Sequence, residues 1–202
     1  MRVGVLALQG GFIEHIHHVR RACAEAGLSC ETVLVRSPRE LRGLDALVLP
    51  GGESTTLLKL ARAAGLLGGI RDLLSSGIPA LATCAGAIVL AEKIVDSRTG
   101  KSMEGGLGLL SAEIARNYFG RQRESFEVDL DLRFDGGERF RAVFIRAPAF
   151  IRFTSSRIRS LAELSGVSVA VEQDNIVATA FHPELVEDHR VHAYALMRAA
   201  RS

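Results

Sequence analysis

At residues 78–88 the chain reads Ile78-Pro79-Ala80-Leu81-Ala82-Thr83-Cys84-Ala85-Gly86-Ala87-Ile88, an apolar strand, one cysteine, then small residues opening an apolar helix. In a nucleophile elbow a strand turns sharply into a helix, so small residues flank a nucleophile that stands above the sheet edge. Cys84 occupies that position. The N–H of Ala85 and the start of the helix would face the same spot and favour a thiolate or an oxyanion. The alternative is a core cysteine, because free cysteine usually packs as a small apolar residue.

The composition favours one compact intracellular domain. The 202 residues are 48% hydrophobic and 24% charged, enough for a full core. A net charge of +2, from 25 basic and 23 acidic residues, carries no signature of binding to nucleic acid or to an anionic membrane. The first residues have the pattern of a strand rather than of a signal peptide, and no apolar run reaches membrane-spanning length. We therefore expect a cytoplasmic protein that binds neither nucleic acid nor membrane.

The three cysteines are Cys23, Cys30 and Cys84, neither an even set nor a Cys-x-x-Cys pair. This count disfavours both a disulfide framework and a zinc ribbon. Cys23 continues an apolar stripe of the helix predicted from Phe12 to about Ala26, so it is predicted to lie in the core. Cys30 is predicted to be a core residue of the next strand.

Strands and helices alternate in the first half of the chain, a pattern typical of a parallel sheet whose ligands bind beyond the carboxyl ends of its strands. Gly51-Gly52 and Cys84 both follow such strands. Ser54 or Thr55 is the predicted cap of the helix after Gly51-Gly52. The other predicted elements are strands at 3–8, 30–35 and 45–49, a helical turn from Ser37-Pro38, and helices to about Ser76 interrupted at Gly65 and at Gly68-Gly69.

The second half is richer in predicted strands. The segment from Lys93 to Gly108 is polar and without periodicity, and is predicted to be a loop. Gln173-Asp174-Asn175 is the predicted tip of a hairpin. Predicted strands follow at 112–115, 126–130, 140–146, 167–171 and 176–181, and a last helix runs from about Glu187 to Arg201.

Phe181-His182-Pro183-Glu184 supplies a candidate base for Cys84. Pro183 biases His182 towards an extended backbone, in which residues two apart project to the same side, so His182 and Glu184 can pair. A cysteine nucleophile requires such a base and a third group that orients it. The alternative is a surface turn, because short histidine motifs are common by chance.

Six groups of residues, spread over nearly the whole chain, together carry a family resemblance. They are Leu8-Gln9-Gly10 with Glu14-His15, Leu49-Pro50-Gly51-Gly52-Glu53-Ser54-Thr55-Thr56, Thr83-Cys84-Ala85-Gly86, Arg116-Asn117 with Phe119-Gly120-Arg121-Gln122, Phe144-Ile145-Arg146-Ala147-Pro148 and Phe181-His182-Pro183-Glu184-Leu185. In order and spacing they resemble triad-type glutamine amidotransferases, most closely the glutaminase subunits of pyridoxal 5′-phosphate synthase. One difference is Ala82, where the family usually has glycine two residues before the nucleophile.

The resemblance implies a catalytic triad of Cys84, His182 and Glu184 that hydrolyses L-glutamine through a glutamyl thioester. It implies oxyanion donors at Ala85 and Gly52, and no metal or cofactor. The ammonia would pass to a synthase subunit, which the region of the first helix near Gln9-Gly10 would face. The implied glutamine-binding residues are Gly51, Gly52, Glu53, Arg116, Ile145 and Arg146. The implied fold is one α/β domain over residues 1–202, a flavodoxin-like three-layer sandwich with a mostly parallel sheet, helices on both faces and extra antiparallel strands in the C-terminal half.

The sequence is also compatible with other functions. The chain would also suit a glutaminase of another synthase, or a catalytically silent binding module. A peptidase or chaperone-like relative is disfavoured, because such proteins usually place histidine directly after the nucleophile, where this chain has Ala85. Several histidines, namely His15, His17, His18, His189 and His192, invite a metal hypothesis, but no carboxylate or cysteine completes a ligand set, and surface or packed positions are favoured.

Overall fold

The computed structural model describes residues 1–103, 106–120, 125–134, 136 and 139–196. Within these ranges the α-helices are α1 (Phe12–Glu25), α2 (Ser54–Ala63), α3 (Leu66–Ser75), α4 (Ala85–Leu90) and α5 (Arg190–Leu196). The strands are β1 (Arg2–Leu6), β2 (Glu31–Val35), β3 (Ala46–Leu49), β4 (Ala80–Thr83), β5 (Ala91–Asp96), β6 (Ser102–Met103), β7 (Leu110–Arg116), β8 (Phe126–Leu130), β9 (Phe140–Phe144), β10 (Ala149–Phe153), β11 (Ile158–Leu164), β12 (Val167–Gln173) and β13 (Ile176–Thr179).

One large sheet organises the molecule. Its first five strands are parallel, in the order β2-β1-β3-β4-β13. The sheet continues as β12-β10-β7-β5-β6, where most pairs are antiparallel, and β11 pairs with β12. β8 and β9 form a separate antiparallel pair. The predicted class, a mostly parallel α/β sheet with antiparallel additions in the C-terminal half, is confirmed.

The helices cover both faces of the parallel strands. The crossover from β1 to β2 through α1 and the crossover from β3 to β4 through α2 and α3 step in opposite directions across the sheet. Because such crossovers are right-handed, their helices lie on opposite faces. α5 packs on α1, and α4 packs on α2. β3 and β4 are buried along their whole length, as expected for parallel strands covered on both sides.

A disulfide lies at the end of α1, contrary to the sequence prediction for the cysteines. Cys23 and Cys30 form a disulfide with 6.1 Å between their Cα atoms, whereas the sequence had disfavoured a disulfide framework and predicted both as core residues. The helix ends in a Schellman motif: Gly27, at φ 68°, donates to Ala24 O, and Leu28 donates to Cys23 O. This turn brings the chain back beside the last turn of α1 and places the two cysteines together. The predicted burial of Cys23 is nevertheless correct.

Several boundaries differ from the sequence predictions for local reasons. The predicted loop 93–108 contains most of β5 and the short strand β6, whose half-exposed residues do not alternate cleanly. β10 and β11 were not predicted, and both carry β-bulges, which break the period-two pattern. Gly68-Gly69 was predicted to interrupt the helix but lies inside α3. Gly69 has a packing role, since a Cβ there would meet Leu41 Cδ1 at 2.7 Å.

Two further predictions for the C-terminal half concern a hairpin and the last helix. The hairpin tip at Gln173-Asp174-Asn175 is confirmed: β12 and β13 pair with Gln173 opposite Ile176, and Asp174 has φ 51°. The last helix begins at Arg190, three residues later than predicted, and its predicted part beyond Leu196 lies outside the described residues. In the described ranges, no helix has both the length and the apolar character needed to cross a membrane.

Candidate active site

Cys84 lies at the turn from β4 into α4, as the elbow motif predicts. Its backbone has φ 47° and ψ −104°, a strained conformation for a residue with a side chain. Two hydrogen bonds hold the turn: Cys84 N–H donates to Thr179 O of β13 at 2.8 Å, and Ile88 N–H donates to Cys84 O at 3.2 Å. Cys84 is buried, with 6% of its surface exposed.

Small residues around Cys84 allow α4 to approach the end of β3. A Cβ on Gly86 would lie 2.1 Å from Leu49 O, so only glycine fits there. Ala82, the residue that differs from the usual family elbow, pairs regularly with Leu49 on one side and Ala178 on the other. It is fully buried and is not among the residues with positive φ. Its methyl group is therefore accommodated inside a regular strand.

His182 and Glu184 pair after β13. His182 Nδ1 and Glu184 Oε1 are 2.7 Å apart, and both residues are largely buried. The pairing agrees with the sequence prediction, although Pro183 begins a 3-10 turn (Pro183–Leu185) rather than continuing an extended chain. Burial, the largest effect, lowers the pKa of His182, but hydrogen bonds to Cys84 and Glu184 outweigh it and raise that pKa to about 10. The imidazolium form is therefore favoured at neutral pH.

Gly51 packs directly against His182 and Cys84. A Cβ on Gly51 would meet His182 Cε1 at 2.5 Å and Cys84 Cβ at 3.2 Å. The Gly51 carbonyl faces Gly10, where a Cβ would lie 2.0 Å from the carbonyl oxygen. Because the carbonyl and N–H of a trans peptide point in opposite directions, the N–H of Gly52 points away from Gly10. Gly52 itself has φ 135°, a conformation that side chains disfavour.

Glu53 caps α2, which corrects the prediction that Ser54 or Thr55 would do so. Its carboxylate accepts from Thr55 N–H at 3.0 Å and Thr56 N–H at 2.7 Å, because its longer side chain reaches back over the first turn. Arg116 Nη2 lies 3.1 Å from Glu53 Oε1. Burial, the largest effect, raises the pKa of Glu53, but hydrogen bonds from the backbone N–H groups and the side chains of Thr55 and Thr56 together lower it to about 2. Glu53 is therefore a carboxylate, and 40% of its side chain remains exposed.

A cavity of about 200 Å³ opens beside Cys84. All the predicted glutamine-binding residues except Gly51 line this cavity. Of the predicted catalytic and oxyanion residues, Ala85 and Glu184 do not line it. Arg146 and Asn117 have φ 45° and 54°, a strained backbone often found at binding sites. The sequence analysis did not predict Ser54, Ile88 and Asn117 as binding residues, although Asn117 follows Arg116 in one of the stretches that carry the family resemblance. The lining residues are Gly52, Glu53, Ser54, Cys84, Ile88, Arg116, Asn117, Ile145, Arg146 and His182. Arg121 and Gln122, which also carried the resemblance, lie outside the described residues.

Three of the histidines considered for a metal meet behind Glu184. His15, His18 and His192 are buried, and the rings of His18 and His192 stack with 4.7 Å between centroids. His15 Nε2 lies 3.4 Å from Glu184 Oε2. Among the described residues, no group of three or more histidine, cysteine or acidic side chains is arranged to hold a metal ion. The sequence analysis left these histidines at surface or packed positions, and it did not predict the contact of His15 with Glu184.

A family model and curated relatives both match this chain over nearly its whole length. A model of the SNO glutamine amidotransferase family matches residues 5–200. The pyridoxal 5′-phosphate synthase subunit PdxT of Ignicoccus hospitalis is 48% identical, and the alignment covers 99% of this chain and 100% of that protein. The protein of the same name from Aeropyrum pernix is 47% identical over 95% of this chain and 96% of its own length.

Solved structures agree with these relatives. A crystal structure described as a glutamine amidotransferase superposes with a TM-score of 0.82 at 44% identity, covering 99% of both chains. A glutamine amidotransferase from Thermotoga maritima superposes with a TM-score of 0.60 at 17% identity, covering all of this chain and 90% of its own, which shows a common fold.

Proposed function

Because the chain belongs to the SNO glutamine amidotransferase family, we propose that it is the glutaminase subunit of a pyridoxal 5′-phosphate synthase. Its proposed reaction converts L-glutamine and water to L-glutamate and ammonia. The single observation that carries the assignment of the site is the juxtaposition of Cys84, His182 and Glu184 at one edge of the sheet, beside a cavity large enough for an amino acid. The whole of residues 1–202 is proposed to act as one glutaminase domain.

In the proposed mechanism Cys84 Sγ attacks the side-chain amide carbon of glutamine. A protonated His182 beside the sulfur stabilises negative charge on it. The tetrahedral intermediate collapses when His182 gives its proton to the departing nitrogen, which leaves ammonia and a glutamyl thioester. His182 then accepts a proton from the water that attacks the thioester, and Cys84 is released with glutamate. Glu184 keeps Nδ1 of His182 hydrogen-bonded throughout.

The oxyanion donors are proposed to be the N–H groups of Ala85 and Gly52. Ala85 is the first residue of α4, directly after Cys84, and Gly52 lines the cavity. The orientation of the Gly51–Gly52 peptide, with its carbonyl towards Gly10, supports this role for Gly52. Preorganised N–H donors of this kind stabilise the charge that develops in the transition state.

The α-amino and α-carboxylate groups of glutamine are proposed to bind at the polar wall of the cavity. Glu53 is negative and partly exposed, which suits the ammonium group. Arg146 suits the carboxylate, and Ile145 adds an apolar contact beside it. Arg116 is already paired with Glu53 and acts by orienting that carboxylate.

The proposed partner is the synthase subunit, which consumes the ammonia. The relatives are named as subunits of pyridoxal 5′-phosphate synthase, and this supports a partner of the same kind. The segment after β1 is the proposed contact, because Gln9 Nε2 donates to Glu53 O at 2.6 Å and its side chain lies against Gly52. A partner that binds at Gln9 would act on the oxyanion segment. We also propose a cytoplasmic location, where such a biosynthetic complex would find its substrates.

Ammonia release with and without the synthase subunit tests the proposal. We expect low activity for the isolated chain, a rise on addition of the partner, and loss of activity in the Cys84→Ala variant of the complex. A complex that releases no ammonia, or a Cys84→Ala complex with full activity, would overturn the catalytic assignment. A complex active with glutamine but unable to form pyridoxal 5′-phosphate would instead point to another synthase.

A further inference from the structure

A row of buried side chains continues from the triad into the core. Glu184 Oε1 is 2.7 Å from His182 Nδ1, whereas Oε2 lies 3.4 Å from His15 Nε2. His15 Nε2 is also 3.3 Å from Thr83 Oγ1, and His15 Nδ1 is 2.8 Å from His192 Nε2. His15 and His192 are fully buried and do not line the cavity. The row therefore joins α1 and α5 to the proposed base through Glu184.

Hydrogen bonding decides the tautomers of the two inner histidines. The contact between His15 Nδ1 and His192 Nε2 requires one donor and one acceptor. If His15 Nδ1 donated, its Nε2 would turn a lone pair to the Glu184 carboxylate. The proton of His192 would then lie on Nδ1, for which the described part of the chain offers no hydrogen-bond partner. If His192 Nε2 donates, His15 carries its proton on Nε2, facing Glu184 and Thr83. Only the second arrangement leaves no buried N–H without an acceptor.

Both histidines are neutral at pH 7. Burial, the largest effect, lowers the pKa of His15 to about 4, although the nearby Glu184 carboxylate opposes it. Burial likewise lowers the pKa of His192 well below its ordinary value. A neutral N–H next to Glu184 Oε2 favours the carboxylate without cancelling its charge. The negative charge of Glu184 thus remains available to His182.

We infer that His15 is a positioning residue for Glu184: its Nε2–H, directed by the hydrogen bond from His192, orients the carboxylate so that Oε1 faces His182. The inference rests on the proposed glutaminase function of the triad. Among the described residues Glu184 Oε2 has no hydrogen-bond partner, and His15 Nε2 is hydrogen-bonded to Thr83 Oγ1 at 3.3 Å. His15 therefore acts on the carboxylate through the electrostatic attraction of its Nε2–H across 3.4 Å, not through a hydrogen bond. Without His15, the carboxylate would be free to rotate away from His182 or to take up a proton.

Two variants of His15 and one control separate this role from packing. His15→Leu removes the donor, and His15→Gln keeps an N–H close to the position of Nε2. Val19→Ala, on the same buried face of α1, is the control for loss of packing. In the complex with the synthase subunit we expect His15→Leu to lower kcat roughly 10- to 100-fold, because in the low-dielectric interior the carboxylate loses the N–H dipole that holds its orientation towards His182. KM for glutamine should change little, because His15 is outside the cavity.

The pH profile of kcat provides the readout that packing would not move. The groups that face His15 are Glu14 and His18 of α1, His192 of α5, and His182 and Glu184 after β13. Loss of the donor raises the pKa of Glu184 and weakens its support of the His182 imidazolium. We therefore expect the His15→Leu profile to narrow from both sides. His15→Gln should restore most of kcat and the width, and Val19→Ala should lower thermal stability without moving either limb.

Kinetics of the wild-type and His15→Leu complexes distinguish failure of the positioning role from failure of the proposed glutaminase function. A wild-type complex without glutaminase activity would contradict the function. An active wild type whose His15→Leu variant keeps its kcat and pH profile would overturn the positioning role. Independently of activity, long-range ¹H–¹⁵N spectra of the folded chain should show His15 and His192 as neutral Nε2–H tautomers at pH 7. A Nδ1–H tautomer or a cation at His15 would overturn the inference.

Discussion

Gly51 leaves no room for a side chain beside the proposed base and nucleophile. A methyl group there would lie 2.5 Å from His182 Cε1 and 3.2 Å from Cys84 Cβ, so His182 or the end of β3 must move. We expect Gly51→Ala to fold but to lose about 100-fold or more in kcat, since misplacement of a reacting group by about 1 Å has effects of that size. Steady-state ammonia release from the complex measures the loss.

Gly68→Ala is the matched control for that substitution. Gly68 lies inside α3, and a Cβ there would meet nothing within 4 Å. We expect unchanged activity and a gain of about 0.5–1 kcal/mol in the free energy of unfolding, because alanine favours helix more than glycine does. Equal activity of the two variants would contradict the proposed contact of Gly51 with the base.

Glu184→Gln tests the proposed role of the carboxylate itself. Glu184 does not line the cavity, and its hydrogen bond helps to raise the pKa of His182. We expect kcat to fall by about 100-fold or more while KM for glutamine changes little, because the base loses its charged partner and its correct orientation. Kinetics of the complex at several glutamine concentrations separate the two parameters. A matching rise in KM would place Glu184 in substrate binding instead.

At the level of elements, the residues of the proposed triad could be located from sequence because each follows an apolar strand. Cys84 follows β4 and His182 follows β13, and these neighbouring strands are parallel, so their carboxyl ends meet. β10 and β11 escaped prediction because bulges disrupt their alternation. The contact between His15 and His192 joins residues 177 positions apart, and no local pattern encodes such a contact.

The disulfide between Cys23 and Cys30 joins the end of α1 to the start of β2, and it is a second feature that sequence spacing did not reveal. It closes a short loop, for which the chain-entropy relation gives a stabilisation of about 2–3 kcal/mol. We expect reduction, or the double variant Cys23→Ser with Cys30→Ser, to lower the free energy of urea unfolding by about that amount and to leave glutaminase activity unchanged at 25 °C.

Counting thiols provides the control for the disulfide. The chain has three cysteines, of which Cys84 is free. Titration under denaturing, non-reducing conditions should find one thiol, and three after reduction. Three thiols before reduction would contradict the disulfide, and a large loss of activity in the double variant would show that the end of α1 matters to the site.

Across the whole molecule, the proposed site lies where two parts of the sheet meet. The parallel part provides Gly52, Cys84 and His182, and the strands and turns of the C-terminal extension contribute Arg116 and Arg146. The nucleophile and base thus come from the part with the most regular strands, and the charged groups proposed to recognise glutamine come from the added part. This division explains why the parallel part was predicted more completely than the added strands that help to form the binding wall.

The buried titratable groups at this junction should give the stability of the whole protein a maximum near neutral pH. The pKa of His15 is lowered to about 4, so between about pH 6.5 and 4 the unfolded chain binds more protons at this residue, and stability falls as pH decreases. The pKa of His182 is raised to about 10, so its contribution is complete below about pH 6.5 and is lost as pH rises towards 10. His192 adds to the acid limb because its pKa is also lowered.

Urea unfolding at pH values from 5 to 9 measures this profile. We expect the free energy of unfolding to be greatest near pH 6.5–7, with an acid limb of about 1.4 kcal/mol per pH unit for each fully buried neutral histidine. His15→Leu should reduce the slope of the acid limb, and the same substitution at the exposed His17 should not. The alkaline limb should weaken in His182→Gln, because that side chain holds no titrating proton. A flat profile in the wild type would contradict the burial of neutral histidines beside Glu184.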